Sequence, residues 1–162
     1  MKIPIACMFL VTTVAWAQGG FQAICTNATI QGDYGFIVTG MRPSGPGGPV
    51  EMIVGVAMTH FDGNGNLTQT DNIHGSITGL ATPDRQGTGT YSVSSDCTGT
   101  MILTNKGAPP LTVKIVVVDN GNEIRAAVVN PTADITPGTT PPQVMVTSNG
   151  RRTVARNSVF GH

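Results

Sequence analysis

Two short segments of this chain carry the same chemistry: Phe61-Asp62-Gly63-Asn64-Gly65-Asn66 and Val118-Asp119-Asn120-Gly121-Asn122-Glu123. Gly and Asn accept the positive φ that a tight reversal requires, so each segment reads as a hairpin turn. Each follows an apolar run of Val, Ile and Met and precedes a second strand-like run. A chain reversed in this way is built from antiparallel strands. Its low charge and its many Thr, Gly, Val and Asn residues suit a β protein and are poor in helix formers. After residue 17 no segment sustains a 3.6-residue apolar period.

Strand-like runs then follow at regular intervals. Over 29–40, Ile30, Gly32, Tyr34, Phe36 and Val38 alternate with Thr29, Gln31, Asp33, Ile37 and Thr39, the period of a half-buried strand. The segment 42–49, with three prolines and three glycines, cannot continue a ladder. A second strand is expected over 50–61 with Val50, Met52, Val54, Val56 and Met58 on one face, and a third over 66–78, where Leu67, Ile73 and Ile77 share a face. Residues 79–86 read as a loop; strands follow at 87–94 and, after the turn Ser95-Asp96-Cys97, at 98–104. The Pro-containing break 106–110 precedes strands 111–118 and 123–130. The segment 131–142, with four prolines, is irregular, and a last strand covers 143–156, bent at Asn149-Gly150. Eight short up-and-down strands cover their edges best by closing into a small barrel, with a two-sheet sandwich as the alternative. The fold class is therefore all-β.

The first residues read as a targeting segment. Lys2 supplies a positive start, Ile3 to Val14 an apolar stretch, and Ala15-Trp16-Ala17 a small-x-small cleavage site. Residues 1–17 are expected to be a cleaved secretory signal, with 18–162 as one domain in a secreted or periplasmic protein and no membrane contact after cleavage. The remaining cysteines, Cys25 and Cys97, are expected to form one disulfide in an oxidising compartment, the competing arrangement being two buried thiols.

Nine basic and nine acidic residues leave no net charge and no basic patch, so no nucleic-acid partner is expected. The turn at Asp62 places oxygens as a calcium loop begins. Leu67 and Ile73 occupy the positions where an EF-hand carries Gly and Glu, so it reads as a hairpin and no metal is expected. His60 and His74 lack a third ligand. No Gly-x-Ser-x-Gly elbow, Walker loop or dinucleotide fingerprint is present, and no catalytic residue or cofactor is assigned. Glu51 and Arg125 are weighed as an inward charged pair, with solvated surface positions favoured. Arg151 and Arg152 read as a solvated basic face. Asn27-Ala28-Thr29 and Asn66-Leu67-Thr68 are glycosylation sequons.

The order of motifs is familiar. Cys25-Thr26-Asn27-Ala28-Thr29 and Tyr34-Gly35-Phe36 are followed by Phe61-Asp62-Gly63-Asn64-Gly65-Asn66 and Asp96-Cys97-Thr98-Gly99. Over about residues 25–130 this resembles a group of short secreted bacterial proteins, largely of unknown function. The resemblance implies a Cys25–Cys97 bridge and, more loosely, a calycin-like or allene-oxide-cyclase-like barrel. It carries over no catalytic residue, and the Pro-rich 131–142 with the Arg-containing tail departs from it.

An eight-stranded barrel is either filled or holds one small ligand. A small apolar ligand is the expected partner, lined by Tyr34, Phe36, Met52, Val54, Met58 and Tyr91. A structural or surface-associated exoprotein with a filled core and an allene-oxide-cyclase-like isomerase remain the alternatives. An enzyme is the less favoured class, and the oligomeric state is open.

Overall fold

The computed structural model describes residues 24–45, 47–80, 82–105, 110–129 and 144–153. The expected signal segment 1–17, the irregular segment 131–142, most of the 106–110 break and the end of the tail lie outside the described residues. Among the described residues there are nine strands: β1 (Gly32–Pro43), β2 (Val50–Phe61), β3 (Asn66–Gly75), β4 (Gly79–Leu80), β5 (Arg85–Val93), β6 (Thr98–Asn105), β7 (Leu111–Val118), β8 (Glu123–Val128) and β9 (Met145–Arg152). Eight of them pair antiparallel with their neighbours, and β9 pairs back onto β1, so the sheet closes into a barrel. The two-residue β4 sits outside the ring as a short hairpin on β3.

The order matches the expected meander; several boundaries shift. Ile30 belongs not to β1 but to a 3-10 helix over Asn27–Ile30, although its side chain is fully buried. β3 stops at Gly75, so Ile77 does not share its inner face and is exposed. β5 begins two residues early, at Arg85, because Arg85 and Asp71 are directly paired across strands. β9 runs unbroken through Asn149 and Gly150, where Gly150 lies directly opposite Phe36 on β1 and Ile124 on β8.

Strand direction gives the barrel two unlike ends. The reversals at Asp62–Gly65, Ser94–Cys97 and Asp119–Asn122 gather at one end. The connections after β1, β3, β6 and β8 leave from the other, the mouth.

The turn end is closed. Tyr34, Phe61 and Tyr91 stack edge to face beneath it, with ring centroids 5.5 Å and 4.9 Å apart, among Ile30, Leu67, Val117 and Ile124. The 3-10 helix lies across this end. Tyr91 donates its hydroxyl hydrogen to Asn27 O (3.2 Å), and Asn27 Oδ1 accepts the Val93 N–H (2.8 Å). The Cys25–Cys97 disulfide joins the lead of that helix to the turn before β6. Closing a loop with a sequence separation of 72 constrains the unfolded chain by about 4 kcal/mol in the chain-entropy treatment.

Arg152 corrects the expectation of a solvated basic face. Its guanidinium donates to the carbonyls of Gln31, Thr29 (2.9 Å) and Gly121 (3.0 Å) and lies 4.9 Å over the Tyr34 ring. It therefore fastens the closing helix to β9. Arg151 is exposed and pairs with Glu123 (3.1 Å).

The two turns with matching sequences fold differently. In the first, Asp62 accepts the N–H groups of Asn64 (2.7 Å) and Asn66 (3.0 Å) and the Asn66 side-chain amide (2.7 Å). Those donors hold its carboxyl below the usual range, the Asn66 amide foremost, and its oxygens serve the turn. In the second, Asp119, Asn120 and Gly121 all take positive φ (51°, 52° and 84°). Gly121 is packed so closely on Thr29 that a Cβ would lie 2.3 Å from its carbonyl oxygen. The Gly121 carbonyl also accepts the Tyr34 hydroxyl, which burial pushes above its ordinary pKa and so keeps protonated.

Candidate ligand cavity

Above the aromatic floor the barrel is hollow. A cavity of about 260 Å³ reaches the mouth. The wall formed by β1, β6, β7, β8 and β9 is largely apolar: Phe36, Val38, Met101, Leu103, Val113 and Val146 face the cavity, with Ser148 and, toward the mouth, Asn105 and Arg42 as its polar members. The wall formed by β2, β3 and β5 carries a polar stripe. Thr59 donates to Gln69 Oε1 (3.1 Å), Gln69 donates to Asp71 Oδ2 (3.0 Å), and Arg85 grips Asp71 with Nε and Nη2, both at 2.9 Å. Thr59 and Asp71 are almost wholly buried. A bidentate guanidinium fixes the carboxylate in plane and satisfies the charge where water is scarce.

A second ion pair sits beside the first at the mouth. Arg42 Nε donates to Glu51 Oε1 (3.0 Å), and a small recess is bounded by Arg42, Asp71, Ile73, Thr82 and Arg85 together. Glu51 is fully buried yet ionised. The Thr78 N–H (2.9 Å), Ile77 N–H (3.1 Å) and Thr78 hydroxyl donate to it along with Arg42. The Thr78 N–H is the strongest cause that lowers its pKa to about 2, against the opposing effect of burial. A Cβ on Gly75 would lie 2.2 Å from the Glu51 carboxylate, so this position leaves space for the carboxylate and its donors. Glu51 thereby anchors the chain that leaves β3 at the mouth. At the mouth end of β6, in the cavity lining, the Asn105 side-chain Oδ1 is buried and without a partner among the described residues.

The expected lining divides. Tyr34, Phe36 and Tyr91 point inward, but only Phe36 reaches the cavity; the two tyrosines belong to the floor. Met52, Val54 and Met58 are corrected: they do share a face, and it is the outer one, where Met52 is 69% exposed. β2 is apolar on that side and mixed on the other, so hydrophobicity pointed the wrong way. Its inner face is Glu51, Ile53, Gly55, Ala57, Thr59 and Phe61. Glu51 does point inward, but its partner is Arg42; Arg125 is outside, paired with Glu123 (3.0 Å). Ala57, Thr59, Gln69, Asp71, Arg42 and Arg85 were missed as lining. Period-two counting back from Phe61, and between Leu67 and Ile73, reaches four of them.

His60 forms an exposed pair with Asp33 (2.7 Å) across β1 and β2. His74 is exposed on β3, away from it. Among the described residues no helix is long and apolar enough to cross a membrane. No family model, curated protein or solved structure matches the chain.

Proposed function

We propose that this is a secreted or periplasmic bacterial protein that holds a small, largely apolar molecule inside a calycin-like barrel. The observation that carries the reading is the 260 Å³ cavity above a closed floor. A cavity of roughly 150 Å³ takes benzene, which scales to a ligand of about ten non-hydrogen atoms. The apolar wall suits a hydrocarbon body. Asn105 Oδ1 at the mouth suits one hydrogen-bond donor at its end, and because Arg42 and Arg85 are each neutralised by a carboxylate, an uncharged donor such as a hydroxyl fits that end best. The Cys25–Cys97 disulfide accords with a compartment outside the cytoplasm.

The hollow interior favours this reading over a filled structural exoprotein. Glu51 favours it over a cyclase-like isomerase. A proton-transferring carboxyl needs a raised pKa, whereas Glu51 is held low by its donors and spent on anchoring backbone.

Native mass spectrometry of the protein purified from its host medium tests the reading. A bound molecule of the stated size is expected. Absence of any adduct, together with no chemical-shift change at Phe36, Leu103 or Val113 on titration with millimolar benzyl alcohol or hexanol, overturns it.

A further inference from the structure

The outer face of β1, β2 and β9 is an anomaly for a barrel whose interior already accounts for its core. Cross-strand register places Met145, Met41 and Met52 side by side in one row and Ile37 opposite Val56 two rows below, with Thr39 opposite Val54 in the row between. Ile37 is 64% exposed, Val56 57% and Val54 56%. Val50 and Met58 extend the patch along β2. No Lys, Arg, Asp or Glu interrupts these rows until Arg151 and the Asp33–His60 pair near the turn end. The opposite wall is unlike it: the outer positions of β5 are Gln86, Thr88, Thr90 and Ser92.

An aliphatic side chain removed whole from water buries on the order of 100 Å² of apolar surface. At the observed exposures this face offers roughly 400 Å², at the level of the largest patches on monomers and often functional. A standard interface takes about 800 Å² from each partner, near two-thirds apolar in homodimers. The patch, with Thr39 at its centre, supplies about half of that area as apolar surface, and its rim of Thr70, Asn72, His74 and Thr147 would supply the polar remainder.

We infer that this face is the interface between two copies of the chain, packed wall to wall. The occupant follows from the chemistry. An uncharged apolar patch presents nothing a differently charged partner would match, and it is complementary to itself, as a two-fold interface demands. Without residues 1–17, which carry Lys2 and no acidic residue, the chain has eight basic and nine acidic residues, so little net charge opposes the approach of two copies. The closed ring of strands leaves no barrel edge for strand addition. A lipid surface is the poorer fit, since interfacial anchoring draws on Trp, Phe and basic residues, and these rows hold none.

Sedimentation equilibrium of the full chain after export, at micromolar concentration, reads the inference directly. A mass twice that of the chain is expected. Val56→Glu and Val54→Glu each place an unpaired charge in the interface and should weaken dimerisation by about 100-fold or more. Both positions face solvent in the single chain, so the variants should keep the wild-type circular dichroism. Thr90→Glu, on the opposite wall, should leave the dimer intact. A monomer at all concentrations to several hundred micromolar overturns the inference. So does a dimer unchanged by both valine substitutions, and so does a monomer that floats with anionic phospholipid vesicles and is released by Val56→Glu.

Discussion

Ala57 offers a substitution whose sign depends on whether the barrel is hollow. Its side chain points inward from the middle of β2 and lines the cavity opposite Val113 and Leu103. Ala57→Leu adds three carbon atoms. If they enter empty space, each contributes up to about 0.8 kcal/mol of burial, an upper bound of roughly 2.4 kcal/mol. The cavity is open at the mouth, and ordering the leucine costs side-chain entropy of about 0.5–1 kcal/mol. A net stabilisation of about 1–2 kcal/mol is therefore expected, or a rise in Tm of about 3–6 °C for a domain of this size. Urea unfolding followed by far-UV circular dichroism measures it as a higher midpoint at an unchanged slope. In a barrel already packed at this level, the same three atoms force neighbours off their rotamers and cost about 1–3 kcal/mol. A lowered midpoint would refute the hollow interior. The substitution should also reduce binding of benzyl alcohol or hexanol, because leucine occupies the space they would take.

Two further outcomes follow from the mouth and the floor. The Glu51 carboxyl is held at about 2 in the folded protein against an ordinary 4.5. Its stabilisation is complete above pH 4.5 and fades as the pH falls toward 2. Stability measured at intervals between pH 5 and 2 should therefore decline more steeply for the wild type than for Glu51→Gln, and parallel curves would contradict the assignment. Arg152→Ala removes donors to three carbonyls and a cation above Tyr34. It should cost about 2–4 kcal/mol, with faster hydrogen exchange at the Thr29 and Gln31 amides; a change under about 0.5 kcal/mol would show that Arg152 does not fasten the closing helix.

The elements that sequence made legible are those governed by local chemistry. Alternation placed Tyr34 and Phe36 inside because Asp33 and Thr39 alternate with them as plainly polar neighbours. Gly and Asn marked the turns, and two cysteines left one pairing. What escaped was set by partners distant in the chain. β2 carries methionines and valines on one face and Glu51, Ala57 and Thr59 on the other. Only its register with β1 and β3 shows that the less apolar face is the buried one. Glu51 and Asp71 could be buried because Arg42 and Arg85 arrive from other strands and the backbone of Thr78 from the turn after β3. Ile30 continued a strand-like alternation and yet closes the floor from a 3-10 helix, since the barrel needs a lid there more than one further ladder residue. The shared sequence of the two turns concealed different backbones, because the second is shaped by its contact with Thr29.

The seam between β1 and β9 has a consequence for how this chain reaches its native state. Tyr34 and Arg152 lie at opposite ends of the described sequence and are neighbours in the ladder. Until β9 is available, β1 and β8 are two open edges of a curled sheet, and Arg152 is absent from the floor. Sealing is thus the latest contact in sequence and the one that commits the chain, a topology that folds slowly because the longest loop closure comes before its reward. A chain truncated before Met145 would be an adhesive ribbon rather than a smaller barrel, prone to recruiting a strand from another copy.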